Sequence, residues 1–267
     1  MSEPVRPRAG RVLVASLASM GLVAVSCGGG DDATVPASTG GSVSGEVVVF
    51  ATASLTEAFT DLGDAFVETT ADASTTFNFA ASSELVAQII EGAPADVYAS
   101  ADLANMARLV DAEANADEPA VFAANLSQII VAETNPLGIT GVEDLADDDL
   151  IVVTCAPVVP CGSYAAQIFE NAGVTVHPDS FEENANAVVT KVTLGEADAG
   201  IAYATDVKAA GDGADGVEIP ADLNVVAEYP IVLTTGAPNP DGGRAFIDFV
   251  LSDAGQAILA GYGFAAP

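Results

Sequence analysis

Three observations predict an α/β protein. Short, continuous apolar runs at residues 47–50, 127–132 and 150–154 are the signature of strands buried on both faces. Between such runs, apolar residues recur at helical spacing, as in Leu55, Ala58, Phe59, Leu62 and Phe66. Four passages from strand to helix go through small residues, which leave the first N–H groups of a helix without partners.

In chain order, Val47, Val48, Val49 and Phe50 form the first strand, and Ala51, Thr52 and Ala53 lead to Ser54 at the first junction. Ser54 stands three residues before Glu57, the S-x-x-E form of a capping box, so it reads either as an ordinary N-cap or as an anion donor. Residues 75–79 alternate as a strand, and Ala80, Ala81, Ser82 and Ser83 open a helix carrying Leu85, Val86, Ile89 and Ile90. Gly92 and Pro94 stop that helix. A strand at 96–100, a helix at 103–110, the strand at 127–132, a turn at 135–138 and a short helical segment at 142–145 follow. After the strand at 150–154, Gly162 opens the third junction helix, with Tyr164, Ala165, Ile168 and Phe169 on one side and Gly173 at its end. The fourth junction, at Glu183, Asn184, Ala185 and Asn186, precedes Val188, Val189, Val192 and Leu194, with Gly195 as the stop. A strand at 199–204 contains Tyr203, which on its residues alone reads as a core tyrosine. Extended segments at 225–229 and 231–234 and helices at 243–251 and 254–260, the second capped by Ser252, complete the chain. This alternation implies mostly parallel sheets, whose ligands bind at the carboxyl ends of the strands. No internal sequence repeat is evident.

The first segment reads as an export signal: Arg6, Arg8 and Arg11 precede an apolar run over residues 12–25 that is too short to span a bilayer. Ala24, Val25 and Ser26 before Cys27 resemble the lipobox of bacterial lipoproteins, which makes Cys27 the expected lipidation site; ordinary signal cleavage is the alternative. Residues 28–45 are rich in Gly, Ser, Thr and Asp and read as a flexible tether. Stable anchoring at a membrane surface takes more than one acyl chain.

The leader holds three of the seven basic residues and one of the 38 acidic ones, which leaves the mature chain with a formal charge of −33. Such a balance excludes nucleic acid as a partner. The acids are scattered and follow no cation-ligand spacing, so they read as a solvated surface. Cys155 and Cys161 remain as an even pair in an exported chain, and Pro157 and Pro160 between them favour a turn that brings them within bonding distance. A disulfide there stabilises by roughly 2 kcal/mol in the chain-entropy picture.

Each helix start carries about half a positive charge, so four of them converging offset two negative charges. None of the mature basic residues (Arg108, Lys191, Lys208, Arg244) stands at a junction. Donors alone, from Ser54, Ser82 and the backbone, then hold the guest, which suits a fully ionised oxyanion. Phosphate carries a proton and needs an acceptor, which Glu57, Glu84 or Glu183 supplies only if it turns inward. An extracytoplasmic serine hydrolase is the alternative from another class. It would require His177, the sole histidine, and the chain has no G-x-S-x-G elbow and no nucleotide-binding fingerprint.

At these residues the chain resembles the extracytoplasmic molybdate-binding proteins of molybdate ABC transporters, members of the type II substrate-binding protein family. The similarity runs from about Val47 to Phe264. It is carried by the motifs at residues 49–56, 79–85, 92–97, 159–164, 194–203 and 255–259 with 262–264. The resemblance implies a two-lobed periplasmic-binding-protein fold, each lobe a mostly parallel sheet flanked by helices, with two hinge crossings. It divides the chain into a signal (1–26), a lipidated N-terminus and linker (27–45), a first lobe (46–125 and 230–267) and a second lobe (126–229). It places oxyanion donors at Ser54 and Ser82, at the backbone of Cys161 and Ala185, and at Tyr203, where metal enters as molybdate or tungstate rather than as a bare cation. Cys161 stands where the family usually has a small residue, and Asn184-Ala185-Asn186 departs from the commoner pattern with Arg or Lys at the third position. The implied protein is not an enzyme and holds no cofactor. It is a monomer tethered outside the cytoplasmic membrane, and its partners are a permease and its ATPase. Sulfate or another tetrahedral oxyanion is the alternative ligand.

Overall fold

The computed structural model describes residues 43–70 and 72–267. The signal segment, Cys27 and the linker up to residue 42 lie outside the described residues. Nine strands form one curled sheet: β1 (Ser44–Thr52), β2 (Asp72–Ala80), β3 (Val97–Ala99), β4 (Ala120–Ala132), β5 (Val152–Cys155), β6 (Ser180–Glu182), β7 (Ala199–Tyr203), β8 (Ala214–Glu218) and β9 (Val226–Leu233). Among the described residues eight α-helices cover it: α1 (Thr56–Thr69), α2 (Ser82–Ile90), α3 (Leu103–Asp111), α4 (Pro160–Ala172), α5 (Ala185–Thr193), α6 (Ala204–Ala210), α7 (Pro240–Leu251) and α8 (Asp253–Tyr262). Among the described residues no helix is long and apolar enough to cross a membrane.

The strand order is β2-β1-β3-β9-β4-β7-β5-β6, with β8 also paired to β4. Parallel pairing is confined to the outer three strands of each half, β2-β1-β3 and β7-β5-β6. At the centre β9 and β4 pair antiparallel, because the chain crosses between the halves along them. Residues 120–126 of β4 pair with β9, and residues 127–132 turn to β7 and β8. Each half is therefore the same βαβαβ unit with its first strand in the middle: β1-α1-β2-α2-β3 and β5-α4-β6-α5-β7. The repeat is one of topology, with no counterpart in the sequence.

Val47, Val49 and Ala51 are fully buried because helices cover both faces of β1. The stripe Leu55, Ala58, Phe59, Leu62 and Phe66 is buried as its spacing predicts. Phe59, Phe66, Phe77, Phe122 and Phe246 interlock with most rings edge-on or tilted, tying α1, β2, β4 and α7 into one core. Helix α4 ends at Gly173 with φ +66°, the left-handed stop that glycine favours.

Several expectations are corrected. The capping box at Ser54 does not form: a 3-10 turn (Ala53–Leu55) precedes α1, and no side chain caps either helical start. Strand β4 begins at Ala120 rather than residue 127, because its first half is an alanine-rich stretch with little β signal of its own. Strands β6 and β8 and helix α6 are additional elements; α6 starts directly on the end of β7 with no turn residue to mark it. The two extended segments near Pro230 are one strand, with the irregularity absorbed by a bulge opposite, between Val121 and Ala123. Helix α7 starts at Pro240, capped by Asn239, and Ser252 caps α8 through the Gly255 N–H.

Candidate functional site

The carboxyl ends of β1, β2, β5 and β6 feed α1, α2, α4 and α5, and all four junctions line one small cavity. Its walls are Thr52, Ala53, Ser54, Ala81, Ser82, Val159, Pro160, Cys161, Asn184, Ala185 and Tyr203. It is small, with a volume of about 10 Å³. Ser54, Ser82, Cys161, Ala185 and Tyr203 are thus brought together, although Ser54 and Tyr203 are 149 positions apart in sequence.

Each donor is prepared differently. Ser82 is fully buried, and its Oγ accepts the Ala101 N–H at 3.0 Å, so its own proton remains free to donate. Ser82 is also the first residue of α2, whose N-cap Ala81 offers no side-chain cap, so no side chain claims the leading amides. Ser54 Oγ lies 2.9 Å from the Tyr229 hydroxyl. Cys161 sits in the first turn of α4, behind Pro160 and without a side-chain cap. Cys155 and Cys161 are joined by a disulfide with Cα atoms 5.6 Å apart, which ties the end of β5 to the start of α4. Gly162 makes that approach possible, since a Cβ there would stand 2.0 Å from the Ala156 carbonyl oxygen. Ala185 opens α5, where the Asn184 side chain takes the Ala187 N–H at 3.0 Å and leaves the earlier amides uncapped.

Tyr203 is 2 % exposed, and its hydroxyl is the one buried side-chain polar atom among the described residues without a hydrogen-bond partner. Burial holds its pKa well above the ordinary phenol value, reinforced by Tyr229 and Tyr164 nearby, so the group is a proton donor at any physiological pH. A buried hydroxyl with no partner is costly, and its place in the cavity wall gives it a ready one in a bound acceptor.

No basic or acidic side chain lines the cavity. Glu57, Glu84 and Glu183 are exposed, so none turns inward as an acceptor. The cations are occupied elsewhere: Lys191 pairs with Glu182 and Arg244 with Asp117, both at 2.9 Å, Arg108 donates to Asn105, and Lys208 to the Gly261 carbonyl. His177 is exposed in the connection between α4 and β6, away from the cavity that Ser54 lines. Such a wall can neutralise a compact anion by dipoles and hydroxyls.

Two acids sit behind the wall. Asp102 caps α3, taking the Asn105 N–H at 2.8 Å, and burial raises its pKa. Asp206 takes the Tyr203 N–H at 3.2 Å; burial raises its pKa to about 7, with the Glu57 charge adding to the rise. Asp206 lines a second cavity of about 250 Å³ with Ser54, Glu57, Asn186 and Tyr262. Across the crevice, the Asn186 amide donates to the Ala53 carbonyl at 3.1 Å and the Tyr164 hydroxyl to the Ala101 carbonyl at 3.3 Å. Sequence reasoning misses Asp206, Asn125 and Tyr229 as parts of this region. Tyr229 meets Ser54 across 175 positions, and only its place before Pro230 on a strand hints at a special role.

Residues 47–265 match the family described as bacterial extracellular solute-binding proteins. The chain is 40% identical over 256 residues to the molybdate-binding protein ModA of Mycobacterium bovis, covering 96% of this chain and 97% of that one. Among solved structures, the substrate-binding domain of a putative molybdenum ABC transporter from Clostridium difficile aligns with TM-score 0.64 and 26% identity, over 84% of this chain and 100% of that one. The sulfate-binding protein SubI of Mycobacterium tuberculosis aligns with TM-score 0.75 and 19% identity, over 83% of this chain and 86% of that one, a likeness of fold.

Proposed function

The chain belongs to the bacterial extracellular solute-binding proteins, and from that premise we propose that its crevice captures molybdate, or tungstate, as a dianion and delivers it to an ABC importer. The observation that carries this reading is the partnerless Tyr203 hydroxyl in a cavity whose wall holds no charged side chain. In this reading Ser54 and Ser82 donate through their hydroxyls, Cys161 and Ala185 through backbone N–H groups, and Tyr203 through its phenol. The protein performs no chemistry; closure of two lobes on the guest is the working step. The lobes are residues 46–125 with 230–267, and residues 126–229, with β4 and β9 as the crossings. The identity with ModA supports molybdate as the guest. Export and lipidation at Cys27 would hold the monomer at the outer face of the cytoplasmic membrane, beside its permease and ATPase.

Sulfate is the second reading, since a wall with no charged side chain suits any tetrahedral dianion and cavity radius decides among them. Calorimetric titration of the purified protein with molybdate, tungstate and sulfate tests both. Saturable binding of molybdate or tungstate in preference to sulfate is the expected result. A folded protein that binds none of the three refutes the proposal.

A further inference from the structure

We infer that Tyr164 and Asn186, neither of which lines the anion cavity, are positioning residues that set the two serine donors from the opposite half of the molecule. The inference rests on the anion-binding reading and adds two residues to it. Tyr164 belongs to α4 and Asn186 to α5, both in the second βαβαβ unit. Ser54 stands in the 3-10 turn before α1 and Ser82 opens α2, both in the first.

Both bonds across the crevice have a fixed direction, because each ends on a backbone carbonyl, which only accepts. The Tyr164 hydroxyl donates to the Ala101 carbonyl at 3.3 Å. The N–H of that same residue, Ala101, donates to Ser82 Oγ at 3.0 Å. Ala101 is thus held by Tyr164 and itself holds the Ser82 oxygen. Ala101 and Ser82 are 1 % and 0 % exposed, so the bond between them is shielded from water. Tyr98 fixes the Ser82 carbonyl at 2.9 Å from within the first half, so only Tyr164 brings a grip from the other side. Burial raises the Tyr164 pKa well above the usual phenol value, with the Asp102 and Glu228 charges adding to the rise, so the donor persists at physiological pH. On the other flank, the Asn186 side-chain N–H₂ donates to the Ala53 carbonyl at 3.1 Å. That carbonyl and the Ser54 N–H share one planar peptide, so a grip on the oxygen sets the plane from which Ser54 departs. The Thr56 hydroxyl gives the same oxygen a local bond at 2.7 Å, and Asn186 supplies the crossing one. The pairing is ordered: Asn186 follows Ala185 and Tyr164 lies three residues beyond Cys161, so each bond runs from beside a second-half donor to beside a first-half one. The serines therefore take their final placement only as α4 and α5 approach the first half.

The test is a set of matched and crossed double-mutant cycles on the purified protein. The wild type is titrated first with molybdate, tungstate and sulfate, and the anion bound most tightly is the probe. Binding of none of the three would overturn the anion reading and this inference with it. Tyr164→Phe and Asn186→Ala are each expected to weaken probe binding about fivefold, the scale of one neutral hydrogen bond. In the matched pairs, Tyr164→Phe is expected to add nothing to Ser82→Ala, and Asn186→Ala nothing to Ser54→Ala. In the crossed pairs, Tyr164→Phe with Ser54→Ala and Asn186→Ala with Ser82→Ala, the losses are expected to add. A role confined to holding the halves together gives additive losses in all four pairs. That result, or unchanged affinity in either single variant, overturns the inference, while wild-type binding leaves the anion reading standing. If Ser82→Ala does not fold, the two pairs with Ser54→Ala decide: a loss that vanishes for Asn186→Ala and persists for Tyr164→Phe supports the inference, and any other pattern overturns it.

Discussion

The two halves of the sheet share a strand order yet arm their crevice by different means. The half built on β1, β2 and β3 contributes two serine hydroxyls, Ser54 and Ser82, each with a partner that fixes its oxygen. The half built on β5, β6 and β7 contributes helix starts whose side chains are a disulfide sulfur and a methyl group, together with one phenol that has no partner. On the proposed reading the first half donates through side chains, so a substitution removes its donors, whereas two of the second half's three donors are backbone, and only changes that move the backbone reach them. Topology thus fixes where donors converge, while each half is free to choose what supplies them.

The strongest way to break the contrast is Gly162→Ala. Its Cβ would press on the Ala156 and Cys155 carbonyls rather than on a flexible side chain, so the start of α4 must shift. A stability loss of about 3 kcal/mol is expected, with a parallel fall in anion affinity, measured by urea unfolding and titration. The first half has no glycine at the start of α1 or α2.

Next come the hydroxyls. Ser54→Ala, Ser82→Ala and Tyr203→Phe are each expected to lose roughly 1.5–3 kcal/mol of anion affinity by calorimetry, as for hydrogen bonds to a charged group. They should part company without ligand. Ser82→Ala strands the Ala101 N–H and lowers thermal stability, whereas Tyr203→Phe removes an unsatisfied polar atom and leaves stability equal or higher. Equal destabilisation by both would dissolve the distinction between supported and unsupported donors.

Loss of the disulfide, by Cys155→Ala with Cys161→Ala, is expected to lower stability by about 2 kcal/mol. Affinity should fall less than in the serine variants, because the donor at Cys161 is its amide. An affinity loss as large as that of Ser54→Ala would mean the bond itself sets the amide in place.

The smallest expected effect is pH dependence through Asp206. Its folded pKa of about 7 lies above the unfolded value of about 3.9, so the native state holds the proton more tightly. Stability from this group is complete below the unfolded value and declines as pH rises through about 7. A dianion bound at the adjacent Tyr203 favours the neutral acid, so affinity should also weaken as pH rises from 6.5 to 8.5. Dissociation constants across that range, compared with Asp206→Asn, should show the slope in the wild type alone.

Much of this was legible in the sequence because strand-to-helix junctions announce themselves twice, by the change of apolar period and by the small residues between. Ser82 is readable in that way. Ser54 was legible as a position and ambiguous as a role: S-x-x-E describes a cap equally well, and the inserted 3-10 turn removes the cap. Tyr203 carried no local sign, since a tyrosine ending a buried strand is ordinary core, and its role rested on resemblance. Strand β8, with the sequence ADGVE, has charges and a glycine where a strand signal needs apolar or β-branched residues, and it exists because β4 offers it an edge. Contacts such as Tyr229 with Ser54 are set by folding across the whole chain and leave no local pattern.

One modest contact governs how the protein can be handled. Ala265 exchanges both backbone hydrogen bonds with Ala124, each at 2.9 Å, one residue before Asn125 on a crossing strand. The last residues are therefore stitched to the hinge, so a purification tag or fluorescent reporter appended after Pro267 would tug on the strand that joins the halves. Labels for following opening and closing belong instead on an exposed site remote from that seam, such as Leu137 in the turn after β4.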